Sequence, residues 1–292
     1  MNTVRMALVF SVMASVFAST EGSGADIEIL ALPDRDNAGL VVVSGRIEDG
    51  DAAAFRRAMP RGGKMLVGLL GPGGLVNEAL DIGAQIRMRG WATSVVAGKG
   101  CYSACALIWV SGARRYYRSD APIGFHAAYM TTEEGKQVET GMGNADIGSY
   151  LTHIGLEREA IQFITAAPPD KISVLSLEKA GLLGIDVLPD DDDKKRWNML
   201  RQIDVRVRAS LLVVGGGARC PNIRKVKADE VATLFRLPPD GAPNSEYASG
   251  RMQRETLKVL DLFDTSDTRA ACREATTFLQ NSGFGEYVKR SR

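Results

Sequence analysis

The chain has 292 residues, 45% of them apolar and 24% charged, with a formal net charge of +1 at neutral pH. That length buries a full core in one large domain, or in one domain with a smaller addition. The balanced charge lacks the basic footprint of a nucleic-acid binder, and the apolar content is that of a globular protein.

Arg5 followed by the apolar run Met6 to Ala18 predicts a secretory leader over residues 1–25. Ser23 and Ala25 give a small-x-small cleavage site after Ala25, with Ala18 as the other option. The run is too short to span a bilayer well. With no charge between Arg5 and Glu21, it also lacks the pattern of an interfacial helix. The mature chain is therefore expected in the periplasm or outside the cell. Strands are predicted over Ile27 to Leu32 and Gly39 to Ile47, then a short helix from Asp49 to Met59 closed by Pro60. The apolar strand Lys64 to Leu70 runs into Gly71-Pro72-Gly73-Gly74, and a helix follows with Val76, Ala79, Leu80, Gly83 and Ile86 on one stripe. Next come a strand at Ala92 to Ala97, a helix from about Tyr102 to Ser111, and strands near Arg115 to Tyr117 and Ile123 to Phe125. Two helices between Ile147 and Ala166, and a strand-helix-strand return from Val174 to Val187, complete a core domain over residues 26–188. Such alternation implies an α/β fold, a mostly parallel sheet with helices packed on it.

The block Pro189 to Arg196 sets four aspartates against three basic residues and reads as a solvated linker over residues 189–196. Beyond it, residues 197–292 read as a small, mostly helical domain, with Gly215-Gly216-Gly217 as a turn, a break at Pro238-Pro239, and helices over Ser249 to Phe263 and Ser266 to Leu279. The four cysteines form an even set, and export would place them where disulfides persist. Cys220 is expected to pair with Cys272 across a loop of about 50 residues. Cys101 and Cys105, read as one helical turn apart with side chains running parallel, fall slightly on the unpaired side. No C-x-x-C occurs, and neither histidine has a second histidine or a cysteine at i+3 or i+4, so no metal and no cofactor are expected.

Three features carry chemistry together: the Gly-Pro-Gly-Gly turn, Cys101-Tyr102-Ser103-Ala104-Cys105 opening a helix, and His126 at a strand end. Singly, each has a plain structural reading as a tight connection, a helix cap and a structural histidine. Ser103 lies 29 residues after Gly74 and His126 lies 23 after Ser103, so each ends its own strand-to-helix unit. In an open α/β sheet those ends gather on the ligand-binding edge. There Ser103 could act as nucleophile and His126 as base, with N–H groups of Ala104 and of Gly73 or Gly74 as an oxyanion hole.

From Lys64 to Tyr129 the chain resembles the proteolytic subunit of Clp peptidases, in the superfamily that also holds the crotonases. It is more similar still to exported bacterial relatives whose serine sits in a Cys-x-Ser-Ala-Cys setting. The resemblance covers about residues 39–188 and implies a Clp/crotonase-type α/β fold of repeated strand-strand-helix units. It implies a Ser103–His126 serine hydrolase acting on a peptide or protein substrate, and it allows homo-oligomeric assembly. The family's aspartate would fall near Ile172, which cannot orient an imidazole; Asp170 is the expected third member, with Asp146 and Asn144 as substitutes. Lys99 as base is disfavoured, because a lysine must be desolvated to serve and this one sits between glycines in a wet turn. No phosphate-loop motif is present, and an exported chain would meet no cytosolic ATPase, so no ATPase partner is expected. Two rivals remain: a non-catalytic binding or scaffold protein with a decayed triad, and an acyl-CoA enzyme reusing the backbone donors, against which export argues.

Overall fold

The structure, a computed structural model, describes residues 24–31, 38–60, 62–235 and 245–289. Residues 1–23 of the expected leader and the Pro238-Pro239 break lie outside them. Strands β1 (Asp26–Ala31) and β2 (Ala38–Ile47) pair antiparallel and lead through α1 (Asp51–Ala58) to β3 (Lys64–Gly74). Then follow α2 (Val76–Met88), β4 (Ala92–Val95), β5 (Cys101–Tyr102), α3 (Ala104–Val110), β6 (Arg114–Tyr117) and β7 (Ile123–Phe125). A hairpin of β8 (Tyr129–Thr131) and β9 (Gln137–Glu139) precedes α4 (Gly141–His153) and α5 (Arg158–Ala166). β10 (Ser173–Val174), α6 (Leu177–Leu183) and β11 (Leu188–Pro189) complete the layer. The C-terminal part holds α7 (Asp191–Arg219), α8 (Ala228–Leu234), α9 (Ser245–Phe263) and α10 (Thr268–Asn281).

The architecture is α/β, as the sequence predicts. β3 is the hub: it pairs in parallel with β2 along one edge, and along the other first with β4 over Leu66–Leu69 and then with β5 at Gly71. The ladder continues in parallel from β5 to β7, from β4 to β6 and from β6 to β11, and only β1 and β10 run antiparallel on it. Val67 and Leu69, on one face of β3, are fully buried, and Leu66 and Leu70 on the other face are half-buried. α3 reads Ala-Cys-Ala-Leu-Ile-Trp-Val and is buried all round, so it runs through the interior instead of along the surface. Its C-terminal end meets Arg115, whose Nε donates to the Val110 carbonyl at 2.6 Å. Burial lowers the pKa of this guanidinium to about 10, which still leaves a cation at neutral pH where the helix dipole favours one.

Two sequence expectations are corrected in the C-terminal part. The charged block over residues 189–196 is the end of β11 and the first turns of α7, capped by Asp190, whose carboxylate accepts from Asp193 N–H at 3.2 Å. Gly215-Gly216-Gly217 lies inside the same 29-residue helix. Glycine costs roughly 1 kcal/mol in a helix interior, and close packing offsets it here: a Cβ on Gly216 would stand 2.7 Å from the Ile223 side chain. Trp197, Leu200, Ile203 and Val207 of α7 join the main core, while Leu212 and Val213 join a second core with Val259, Phe263, Ala275 and Leu279. The Cys220–Cys272 disulfide, as expected, ties that second core together. Among the described residues, no helix is long and apolar enough to cross a membrane.

Candidate active site

The site forms where β3 reaches its glycines. On β2 a bulge at Gly45, with φ 95°, shifts the register so that Arg46 comes opposite Gly73 and Ile47 opposite Gly74. Gly73 has φ 104°, and a Cβ there would stand 2.6 Å from Ser103 Cβ and 2.8 Å from Ala104 N. The backbone of β3 therefore lies directly against the turn that carries Ser103. Gly74 is turned the other way, since its Cβ would strike the Ile47 carbonyl oxygen at 2.0 Å.

Ser103 is the one non-glycine residue with positive φ among the described residues, at φ 56°, ψ −126°. Such a conformation costs about 1–3 kcal/mol, and the surroundings impose it. Ser103 N–H donates to the Gly124 carbonyl at 2.9 Å, its own carbonyl accepts from Leu107 N–H at 3.2 Å, and a Cys101–Cys105 disulfide closes the turn from both sides. That bridge overturns the expectation of unpaired thiols. Parallel side chains would require both cysteines on one helix, but Cys101 belongs to β5, and the reversal at Ser103 brings the two Cα atoms to 5.3 Å. Ala104 N–H, the first of α3, has no intrahelical acceptor.

His126 follows β7 and shares with Ser103 a pocket of about 280 Å³, walled by Leu107, Phe125, Met130 and Ile147. Arg46 stands at the same pocket, 61% exposed and paired with Glu48 at 2.7 Å. The imidazole Nδ1 lies 2.7 Å from the Ala127 carbonyl oxygen. A carbonyl only accepts, so Nδ1 carries the proton and Nε2 keeps the lone pair a general base needs. No hydrogen bond joins Ser103 Oγ to His126 among the described residues; in substrate-free sites such bonds commonly tighten only on binding.

The expected third member is not at the histidine. Asp170 is exposed in the turn closed by Lys171 N–H to the Pro168 carbonyl at 2.9 Å, and it makes no hydrogen bond to His126. The cause is the register of β10: Ser173 opposes Phe125, which carries the preceding Ile172 toward His126, with its side chain against Gly124. Asp146 is exposed on α4, and Asn144 instead accepts from Ala128 N–H at 2.8 Å. Lys99 is exposed in its turn. Sequence reasoning passes over Arg46, the Ala127 carbonyl and strand β8, whose Tyr129, Met130 and Thr131 line the pocket. Gly45 was the signal for the bulge; a backbone carbonyl leaves none.

A wider, open cleft of about 790 Å³ lies in the C-terminal part beside Asn222, Thr276 and Lys289. Its polar groups are mutually engaged, Asn222 donating to Thr276 at 2.7 Å and Lys289 to the Pro221 carbonyl at 2.9 Å. Among the described residues no group of three or more histidine, cysteine or acidic side chains could hold a metal ion.

No family model matches the chain, and no curated protein matches it in sequence. Among solved structures, two of a membrane-bound stomatin-specific protease, 1510-N, are similar to it. A serine-to-alanine mutant aligns at 15% identity over 55% of this chain and 80% of that one, with a TM-score of 0.41. A lysine-to-alanine mutant in complex with a substrate peptide aligns at 17% identity over 55% and 77%, with a TM-score of 0.40. At these values the likeness carries no reading of the site, which stands on its own geometry.

Proposed function

We propose that this chain is an exported, ATP-independent serine hydrolase of the peptidase type. The observation that carries the reading is Ser103, held at positive φ between β5 and α3 and lining one pocket with a histidine whose Nδ1 is already committed to a backbone carbonyl. In the reaction, Ser103 Oγ attacks the substrate carbonyl while His126 Nε2 takes its proton. The oxyanion gathers on the N–H of Ala104 and on that of Gly73 or Gly74. The imidazolium then protonates the leaving amine or alkoxide, and water repeats the sequence on the acyl-enzyme. The apolar pocket walls suit an uncharged side chain of a peptide. Two disulfides agree with an oxidising compartment; an intact N-terminus on the native protein recovered from cytosol would count against export. The scaffold reading draws on one observation, that among the described residues no carboxylate makes a hydrogen bond to His126.

Turnover of a small ester or peptide decides between the two. Ser103→Ala, His126→Ala and their double variant should each lose roughly 10⁴-fold or more and by similar amounts, because such residues act as a unit. Asp170→Asn and Lys99→Ala should stay near wild type. Wild-type turnover in Ser103→Ala refutes the assignment. Loss in Lys99→Ala with activity retained in His126→Ala moves the base.

A further inference from the structure

The peptide unit between Ala127 and Ala128 is gripped on both sides. Its C=O accepts from His126 Nδ1 at 2.7 Å, and its N–H donates to Asn144 Oδ1 at 2.8 Å. The amide of Asn144 in turn donates through Nδ2 to Glu139 Oε1 at 2.7 Å. The direction of this chain is unambiguous: reversing the Asn144 amide would set an NH₂ against an N–H and an oxygen against a carboxylate. Flanking bonds, from Ala127 N–H to the Ala167 carbonyl at 2.8 Å and from Thr140 N–H to the Ala128 carbonyl at 2.9 Å, fix the strand ends but leave the tilt of this one peptide plane to Asn144.

We propose that Asn144 is the positioning residue that does the work of the missing triad carboxylate, holding the Ala127–Ala128 peptide so that its carbonyl locks His126 in the Nδ1–H tautomer. Asn144 never touches the imidazole. It sits at the start of α4, whose N-cap Thr140 follows β9, so Glu139 and Asn144 are five residues apart and meet around that cap. Hydrogen bonds in series polarise one another, and this series runs from the Glu139 carboxylate through a side-chain amide and a backbone peptide to the base. A triad aspartate delivers the same orientation in one bond. The local sequence placed Ile172 where that aspartate would stand, and the relay approaches the ring from the α4 side instead.

The inference rests on the hydrolase reading, and the test separates the two. In ¹⁵N-labelled protein the chain's two histidines are told apart with His153→Gln, and long-range ¹H–¹⁵N correlations report each neutral ring's tautomer. His126 in the wild type should be Nδ1–H. Asn144→Ala should populate the Nε2–H form and lower kcat on the order of 10- to 100-fold, the usual cost of a lost outer partner, with KM within about twofold, since that asparagine stands behind Ala128 and does not itself line the pocket. Asn144→Asp alone should do the same, because it faces Glu139 with like charge. Combining it with Glu139→Gln exchanges donor and acceptor and should restore both tautomer and kcat. An Nε2–H ring in the wild type, an unchanged tautomer in folded Asn144→Ala, or no recovery in the double variant overturns the proposal. If the wild type proves inert, the hydrolase reading falls while the tautomer still decides the role of Asn144.

Discussion

The backbone of Gly73 lies so close to Ser103 that a single added carbon on the glycine would stand 2.6 Å from the serine Cβ. Strand end and the turn that carries Ser103 are thus one unit, and whatever shifts the first displaces the second. Gly73→Ala should therefore cost more than its stability. The φ of 104° alone implies about 1–3 kcal/mol of strain, visible as a lower denaturation midpoint, and turnover should fall well beyond the fraction unfolded. A variant with normal turnover and a normal midpoint would show that Gly73 and Ser103 are not coupled in this way.

The two disulfides should separate stability from catalysis. Cys220 and Cys272 bridge 52 positions in the second core, and replacing both by serine should lower stability by about 2–4 kcal/mol while leaving turnover of the folded fraction intact. Cys101 and Cys105 bridge only four positions but enclose Ser103. Replacing this pair should release the positive-φ turn, so turnover falls more than the midpoint does. Equal effects of the two double variants on turnover would contradict the division.

Asp204, where α7 meets α9, gives a pH signature. Its carboxylate accepts from Tyr247 Oη at 2.7 Å and pairs with Arg251 at 2.7 Å, yet burial, the larger effect, raises its pKa above the ordinary carboxylate value. A raised folded-state pKa means the folded chain binds that proton more readily than the unfolded one. The contribution of this group to stability is therefore present at acid pH and lost as pH rises through the folded pKa. Asp204→Asn keeps an acceptor for Tyr247 and removes the titration. Its stability relative to wild type should be highest at neutral pH and decline as pH is lowered, measured by denaturant midpoints at several pH values; a flat or opposite trend would contradict the burial argument.

Ser103, His126 and the glycine turn were legible because each is a local device at a strand end, where chemistry-bearing residues need particular neighbours. The α/β alternation was legible for the same reason, since strand and helix periods differ along the chain. What the sequence hid is tertiary. Asp190 and the acidic turn after it are a helix start that the charge pattern masked as a linker, and three successive glycines do not look helical; α7 runs through them because Trp197, Leu200, Ile203 and Val207 pack on the main core while Gly216 lets Ile223 approach. The Cys101–Cys105 bridge depends on one φ angle, at Ser103. Asp170 is kept away by register, because the pairing of Ser173 with Phe125 carries the preceding Ile172 toward the histidine, and the group that meets His126 Nδ1 is a backbone carbonyl, which every residue has and no sequence marks.

The central claim, that Ser103 is an activated nucleophile, is tested most directly by exposing the native full-length protein to a serine-directed fluorophosphonate and mapping the adduct by peptide mass spectrometry. One phosphonylated site is expected, at Ser103, labelled far more slowly in His126→Ala and absent in Ser103→Ala. No adduct on folded wild type, or an adduct on any other serine that persists in Ser103→Ala, would contradict it.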